Sequence, residues 1–220
     1  MSNMCKEITI QDSMYPEKLL ALLDAPKVLH VLGHLPEGKS IAIIGARMAS
    51  EYGRYMARQF GAELAQAGYS LISGLSLGID YTSTKAALRA GGKVYAVMGC
   101  GADVCYPPET GDLYDEIKAH FGVISACPDG MKPESRVFPE RNRLIAALAD
   151  AVIIVEAREK SSTIGTALFA ASLGKPVFAV PGRVTDRLSD GTNHLIRDGN
   201  AAMAFNAKDV IQRMEENPAA

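Results

Sequence analysis

The chain has 220 residues, of which 48% are hydrophobic and 22% are charged, and this composition excludes a disordered or fibrous protein. Its 23 basic and 25 acidic residues give a net charge of −2, so a basic site for a nucleic acid must be local. No apolar run approaches the ~20 residues of a membrane span, and residues 1–12 lack the apolar segment of a signal peptide. We therefore expect a cytoplasmic protein with no membrane partner.

Residues 1–36 differ in pattern from the rest of the chain and are predicted to form an N-terminal extension packed on a sheet. The extension would contain a helix over residues 15–23 and a turn over residues 26–33 that leads inward. From residue 37 to residue 220 the chain is predicted to form a single α/β core.

This core alternates Val- and Ile-rich runs with segments of helical spacing. Continuous apolar runs are typical of strands buried on both faces of a parallel sheet. They predict strands at 41–44, 69–72, 94–98, 152–155 and 177–180, and helices are predicted over 52–67, 145–149, 164–171 and 207–216, with a frayed tail at 217–220. Strands alternating with helices predict a three-layer α/β fold, with a mostly parallel sheet and helices on both faces.

Ligands of such sheets bind beyond the carboxyl ends of the strands. In the first of these loops, Gly45 allows close approach to the backbone, and Arg47 offers planar donors suited to phosphate. The helix that follows would present free N–H groups to an anion. The loop has no GxGxxG motif, which argues against a classical NAD site.

The second loop contains the sequence G-x-S-x-G from Gly74 to Gly78, which is also the pattern of a hydrolase nucleophile elbow. In that alternative Ser76 would be the nucleophile, and Asp190 and His194 follow in the order of a triad. The spacing of the latter two inside one turn suits capping better. Asp80, at the start of the next helix, is predicted to cap it or to accept a hydrogen bond from a ligand hydroxyl.

Two glycines in the third loop, Gly99 and Gly101, indicate that a ligand or another backbone lies against the chain. Further along, Arg141 and Arg143 stand where a helix is predicted to begin. Cations at a helix start oppose the helix dipole, so their presence there favours a phosphate bound between them.

The last such helix start carries several hydroxyl groups, including those of Ser161 and Thr163, which predict a further site for an anion or a hydroxyl. No Walker loop, zinc motif or pair of carboxylates spaced for acid–base chemistry is present. Because the loops are rich in anion-binding groups and poor in nucleophiles and bases, we expect binding rather than catalysis, with no metal and no cofactor.

The ordered motifs resemble the DprA/Smf family of bacterial natural transformation. They are Tyr15-Pro16, Gly45-Ala46-Arg47, Ser73-Gly74-Leu75, Gly78-Ile79-Asp80, Gly99-Cys100-Gly101-Ala102-Asp103, Tyr106-Pro107, Phe138-Pro139, Arg141-Asn142-Arg143, Val155-Glu156-Ala157, Ala179-Val180-Pro181-Gly182 and Gly191-Thr192-Asn193. The resemblance implies an extended Rossmann-like fold that dimerises, binds single-stranded DNA without strong sequence preference and helps to load RecA onto it. It implies no catalytic activity.

The resemblance also assigns DNA-phosphate contacts to individual positions, namely Gly45, Arg47, Gly74, Gly78, Asp80, Gly99, Gly101, Arg141 and Arg143. This chain departs from the family pattern at Ala46, where the family has Ser, and at Thr84, where it has His. Residues 201–220 are too few for the winged-helix domain that many members carry.

One enzymatic alternative remains from the related LOG-type phosphoribohydrolases, which cleave an N-glycosidic bond. In that hypothesis Glu156 would be the candidate carboxylate, although it precedes the loop in which the related enzymes place theirs. The alternative predicts release of a free base from a nucleoside monophosphate.

Overall fold

The computed structural model of this chain describes residues 5–216. Its strands are β1 (Lys6–Thr9), β2 (Val28–Gly33), β3 (Ser40–Ile44), β4 (Ser70–Ser73), β5 (Val94–Met98), β6 (Gly122–Ser125), β7 (Ala151–Ile154), β8 (Val177–Ala179) and β9 (Ala202–Met203). Its α-helices are α1 (Glu51–Gln66), α2 (Ile79–Arg89), α3 (Gly111–His120), α4 (Phe138–Leu148), α5 (Ser162–Ser172), α6 (Asp190–Arg197) and α7 (Ala207–Glu216).

The nine strands form one sheet in the order β1-β2-β6-β5-β4-β3-β7-β8-β9. All pairings from β6 to β9 are parallel, whereas β2 pairs antiparallel with both β1 and β6. The chain leaves the middle of the sheet in one direction, through β4, β5 and β6, and then returns to place β7 on the other side of β3. This reversal at β3 and β7 is the topological switch point, where open α/β sheets bind their ligands.

Each face of the sheet has its own hydrophobic core, because successive side chains of a strand point to opposite faces. On β3, Ile41 and Ile43 pack into the core under α1, α2, α3 and α7, while Ala42 and Ile44 pack into the core under α4, α5 and α6. The prediction of a three-layer α/β fold with a mostly parallel sheet is therefore confirmed.

The N-terminal segment differs from the prediction. Residues 26–33 do not form a turn: Val28–Gly33 is a strand that pairs with β6 inside the sheet. The predicted helix over 15–23 is a short 3-10 helix, Glu17–Ala21. Residues 6–33 thus add two antiparallel strands to the sheet, and Leu19 of the 3-10 helix between them is buried in the core under α4. The closing helix is confirmed as α7, and the tail predicted at 217–220 lies outside the described residues.

Between residues 5 and 216 no helix has both the length and the apolar character needed to cross a membrane.

Candidate functional site

Two adjoining cavities open at the carboxyl ends of the central strands, each with a volume of about 310 Å³. They share Arg47, Ser76 and Arg141, and we call the pair the Arg47 cleft. The first cavity is lined among others by Gly45, Asp80, Asn142, Arg158, Ser161 and Thr163, and the second by Gly74, Gly99, Tyr106, Glu109 and Phe138. The structure therefore brings together eight of the residues singled out from the sequence: Gly45, Arg47, Gly74, Asp80, Gly99, Arg141, Ser161 and Thr163.

Arg47 occupies the junction of the two cavities. It is exposed, and it has no ion-pair partner among residues 5–216. Its guanidinium lies 5.7 Å from the centroid of the Phe138 ring, a cation–π contact that orients the group without using its N–H donors. Those donors are consequently free to bind an anion in either cavity.

Arg141 belongs to the same cleft but is almost fully buried, with 5% of its surface exposed. Its Nη1 donates hydrogen bonds to the carbonyl oxygens of Gly74 (2.6 Å) and Val97 (3.2 Å), which ties α4 to the ends of β4 and β5. Its Nε is buried and has no hydrogen-bond partner among residues 5–216. Burial and the nearby charge of Arg47 lower the pKa of Arg141, while the Asp80 carboxylate acts in the opposite direction. The guanidinium groups of Arg47 and Arg141 are therefore close enough for the charge of one to affect the other.

Arg143 is not part of the cleft. The helix α4 begins at Phe138, so Arg141 and Arg143 lie beyond its first residues, and side chains two positions apart point to different sides of a helix. Arg143 forms a two-pronged ion pair with Asp24 (2.6 Å for each contact) and stacks on Phe169, 4.7 Å from the ring centroid. Both arginines line a separate cavity of about 510 Å³ together with Asp24 and Arg136, so a phosphate bound between them stays a prediction.

Asp80 is buried where the first and second loops meet. Burial raises its pKa from 3.8 to about 6, although the charge of Arg141 and the backbone N–H groups of Ser76, Gly45 and Gly74 act against this rise. The Asp80 side chain therefore connects the two loops and also lines the cleft. Asp80 does not occupy the N-cap position of α2, which is held by Gly78.

Several of the predicted phosphate-contact glycines are required by the packing of the protein itself. A Cβ at Gly74 would collide with Nη1 of Arg141, and one at Gly45 would lie 2.7 Å from Ile79 Cγ1 and 2.9 Å from the Glu156 carbonyl oxygen. Gly78 has φ +81° and is packed against the carbonyl groups of the first loop. Neither Gly78 nor Gly101 lines the Arg47 cleft, and Gly101 donates instead to the Met131 carbonyl oxygen at 2.8 Å.

The start of α5 forms one wall of the cleft. Ser161 occupies the N-cap position, but its hydroxyl makes no capping hydrogen bond and is buried without a partner among residues 5–216. The first turn contains no acidic residue, so the partial positive charge of this helix end is not neutralised locally. Ser161 and Thr163 both line the first cavity, opposite Arg47. The predicted hydroxyl-rich helix start is thus open to the cleft.

The start of α1 is closed, contrary to the prediction that its N–H groups are free. The Glu156 carboxylate accepts hydrogen bonds from the Ser50 amide (3.0 Å) and the Ser50 hydroxyl, and Ser50 Oγ in turn accepts from the Gly53 amide (3.0 Å). Glu156 is 1% exposed and does not line the cleft. These contacts give Glu156 a structural role and leave the phosphoribohydrolase alternative without its carboxylate.

The hydrolase alternative also lacks its geometry. Ser76 lines the cleft, but neither Asp190 nor His194 does, and Nδ1 of His194 lies 3.3 Å from Oε1 of Glu159. A nucleophile elbow requires the serine itself to have the strained backbone conformation. In this turn the residue with positive φ is Leu75, at +50°. Ser76 is therefore an uncharged lining residue in this structure.

Among the cleft residues that the sequence analysis did not single out, two contribute most to its chemistry. The Phe138 ring contacts both Arg47 and Arg141, at 5.7 and 5.6 Å, although the sequence showed it only as part of a motif. Arg158 adds a third cation to the first cavity, and its position just after β7 could have indicated this. Within residues 5–216 no group of three or more His, Cys, Asp or Glu side chains is placed to hold a metal ion.

Comparison with known proteins identifies the family. A family model described as "DNA recombination-mediator protein A" matches residues 6–215. This chain belongs to that family. DprA of Bacillus subtilis is 35% identical over 95% of this chain and 71% of its own length, and DprA of Streptococcus pneumoniae is 38% identical over 94% and 73%. Smf of Escherichia coli is 34% identical over 94% of this chain but only 56% of its own length. The resemblance to the DprA/Smf family is thereby confirmed.

Solved structures of the family superpose closely. The DprA structure from S. pneumoniae gives a TM-score of 0.90 at 37% identity, covering 94% of this chain and 74% of that one. A DprA structure from Helicobacter pylori, whose description concerns a single-stranded DNA binding mode, gives 0.87 at 30% identity and covers 99% of both chains. A molybdenum cofactor binding protein from Rippkaea orientalis, at 16% identity and a TM-score of 0.58, shares the fold alone.

Proposed function

We propose that this chain binds single-stranded DNA in the Arg47 cleft, by its phosphates and with little reading of the bases. The observation that carries the proposal is Arg47 itself: an exposed guanidinium, oriented by Phe138 and free of any carboxylate among residues 5–216, at the junction of two cavities. In a chain whose net charge is −2, this local excess of positive charge needs an anionic ligand.

The rest of the cleft supports a polyanion over a single small anion. Arg47, Arg141 and Arg158 line the first cavity with one carboxylate, that of Asp80, whose ionisation is disfavoured by burial. The start of α5 adds its N–H groups and hydroxyls to the far wall. The second cavity continues past Arg47 to the aromatic faces of Tyr106 and Phe138, which lie 5.9 Å apart. Phosphates held in the first cavity would leave bases near these rings, and stacking there is tolerant of sequence.

The wider role follows from the family. The DprA structure of H. pylori is described by its single-stranded DNA binding mode, and the family model names recombination mediation. We infer a role of this kind for this chain and, as the resemblance to the family implies, that it acts as a homodimer that presents two clefts to one strand and helps to load RecA during natural transformation. Two linked clefts would raise the overall affinity without any new contact. The role is one of binding and not of catalysis.

Fluorescence anisotropy of a labelled oligo-dT tests the proposal. The wild type should bind with micromolar or tighter affinity at low salt. Arg47→Ala should weaken binding at least tenfold, or about 1.4 kcal/mol. Arg213→Ala, which removes an exposed cation from α7, is the matched control and should leave the affinity within about twofold. Equal affinities of the wild type and Arg47→Ala would remove Arg47 from the interface.

A salt series separates this electrostatic mechanism from one based on the bases. Three or four phosphate contacts predict a slope of log affinity against log salt of roughly −2 to −3. Full retention of binding in half-molar salt would contradict the mechanism.

RecA loading is tested separately, by the rate at which RecA filaments nucleate on single-stranded DNA with the wild type or with Arg47→Ala present. Sedimentation of the wild type tests the dimer.

A further inference from the structure

One of the concave surfaces outside the Arg47 cleft lies between the outer faces of α1 and α2. It has a volume of about 570 Å³, and we call it the α1–α2 groove. The two helices approach closely because Gly61 lies against the backbone of Ser83, where a Cβ would collide with the Ser83 carbonyl oxygen. The lining includes Ala62, Ala86 and Ala90, whose short side chains leave the groove open to solvent.

The groove is lined by cations and neutral amides without a carboxylate. Its cations are Arg58, Lys85 and Arg89, and Gln59 and Gln66 supply amide groups. Lys85 contacts Asp112 at 3.3 Å and the Tyr81 hydroxyl at 2.9 Å, so its charge is partly neutralised from α3. Arg58 and Arg89 are exposed and form no ion pair within the described part of the chain. The groove therefore carries uncompensated positive charge.

The position of the groove connects it with the Arg47 cleft. Leu77 lines the second cavity of the cleft two residues before α2 begins. Within α2, Tyr81, Lys85 and Arg89 follow one another at intervals of four residues, which places these three along one side of the helix. From Tyr81 to Arg89 this row extends for about 12 Å. Both helices start at the carboxyl edge of the sheet, so the groove runs from the edge that carries the cleft towards the opposite edge.

We propose that the α1–α2 groove binds the sugar-phosphate backbone of the single strand where the strand leaves the Arg47 cleft. This inference rests on the proposed function and adds a second contact surface to it. A polyanionic strand is favoured over an acidic protein segment, because the basic row begins at the rim of the cleft and continues away from it along α2. The small side chains in the lining and the amides of Gln59 and Gln66 suit a backbone with its bases directed outwards.

Oligonucleotide length distinguishes the groove from the cleft. The full chain is titrated with labelled oligo-dT of about six nucleotides, which fills the cleft, and of about twenty, which extends beyond it, within the range of known single-strand site sizes. The test variant is Arg58→Ala/Arg89→Ala, and the control is Lys208→Ala/Arg213→Ala, which removes two exposed cations from α7. Both double variants change the net charge equally, and their helix content and melting temperature are compared with those of the wild type.

We expect the test variant to bind the long oligonucleotide at least fivefold more weakly and the short one as the wild type does. Its salt slope for the long oligonucleotide should be smaller by about 1.4, which corresponds to two lost phosphate contacts. Unchanged binding of the long oligonucleotide overturns the proposal, and so does an equal loss for both lengths or for both double variants. If the wild type binds neither length, the proposed function itself has failed, a result distinct from failure of the groove alone.

Discussion

The Glu156 carboxylate closes the start of α1 by accepting hydrogen bonds from both the amide and the hydroxyl of Ser50. Gly53, in the first turn, leaves room for this carboxylate, and a Cβ there would collide with it. A negative charge is favoured at a helix N-terminus, and here the protein supplies its own. The consequence for the Arg47 cleft is that α5, and not α1, presents an open helix end to a ligand, because the Ser161 hydroxyl has no partner in the described part of the chain.

Glu156→Ala should lower the free energy of unfolding by about 2–3 kcal/mol, because it removes a charged acceptor and leaves buried donors unpaired. Urea denaturation measures this loss. Glu51→Ala removes an exposed carboxylate from the same turn of α1 and should destabilise the protein much less than Glu156→Ala does. Similar losses of unfolding free energy for the two variants would show that the buried contact at Ser50 does not stabilise the protein more than an exposed carboxylate does.

Gly74→Ala should destabilise the protein by about 1–3 kcal/mol, because the added Cβ would collide with the buried guanidinium of Arg141. The same shift should weaken DNA binding, since Arg141 lies beside Arg47 in the cleft. Gly165→Ala is the matched control: its Cβ would meet no atom within 4 Å, and Gly165 lies inside α5. There alanine should stabilise by roughly 0.5–1 kcal/mol. Thermal melting should show a lower melting temperature for Gly74→Ala and a higher one for Gly165→Ala than for the wild type.

Asp80 should make the stability depend on pH in an unusual direction. Its folded-state pKa of about 6 exceeds the ordinary 3.8, so the folded state binds the proton more tightly than the unfolded state does. Between these two values stability therefore decreases as the pH rises. The free energy of unfolding of the wild type minus that of Asp80→Asn should fall by up to about 3 kcal/mol from pH ~4 to pH ~6.5.

Asp24→Asn is the control for that titration, because the hydrogen bond from Arg143 lowers the pKa of Asp24. For a carboxylate with a lowered pKa the contribution to stability is present above the ordinary pKa and is lost as the pH falls. The free energy of unfolding of the wild type minus that of Asp24→Asn should therefore rise with pH, and this rise should be confined to pH values below about 4. A difference for Asp80→Asn that is flat, or that rises with pH, would contradict the buried position of that carboxyl group.

The sequence predicted the central strands well because a strand buried on both faces leaves an unbroken apolar run, as in β3 and β5. It did not predict β2, where Pro26 and Gly33 at the two ends suggested a turn. Pairing with β6 decides this element, and β6 is distant in sequence. The sequence also missed β1, β6 and β9. Only one residue of β1 is buried, the apolar run of β6 is limited to Val123 and Ile124, and β9 has two residues.

In the candidate site, the sequence predicted which loops meet but not the direction of every side chain. Arg47 and Ser161 lie in the cleft, as their loops at the carboxyl ends of strands indicated. Arg143 does not, because its direction depends on where α4 begins and on Asp24, a partner 119 positions away. The glycines were interpreted as space for a ligand, whereas Gly74 and Gly78 provide space for Arg141 and for the first loop. Such contacts between loops have no signature in a single sequence.

Arg143→Ala should leave DNA affinity within about twofold of the wild type, because Arg143 lies outside the Arg47 cleft. It should instead lower the free energy of unfolding by about 1 kcal/mol, through loss of the contact with Phe169 and the exposed ion pair with Asp24. A double-mutant cycle with Asp24→Ala, followed by urea denaturation, should give a favourable coupling that weakens as the salt concentration rises. A tenfold loss of DNA affinity in Arg143→Ala, matching that of Arg47→Ala, would instead place this arginine on the path of the strand.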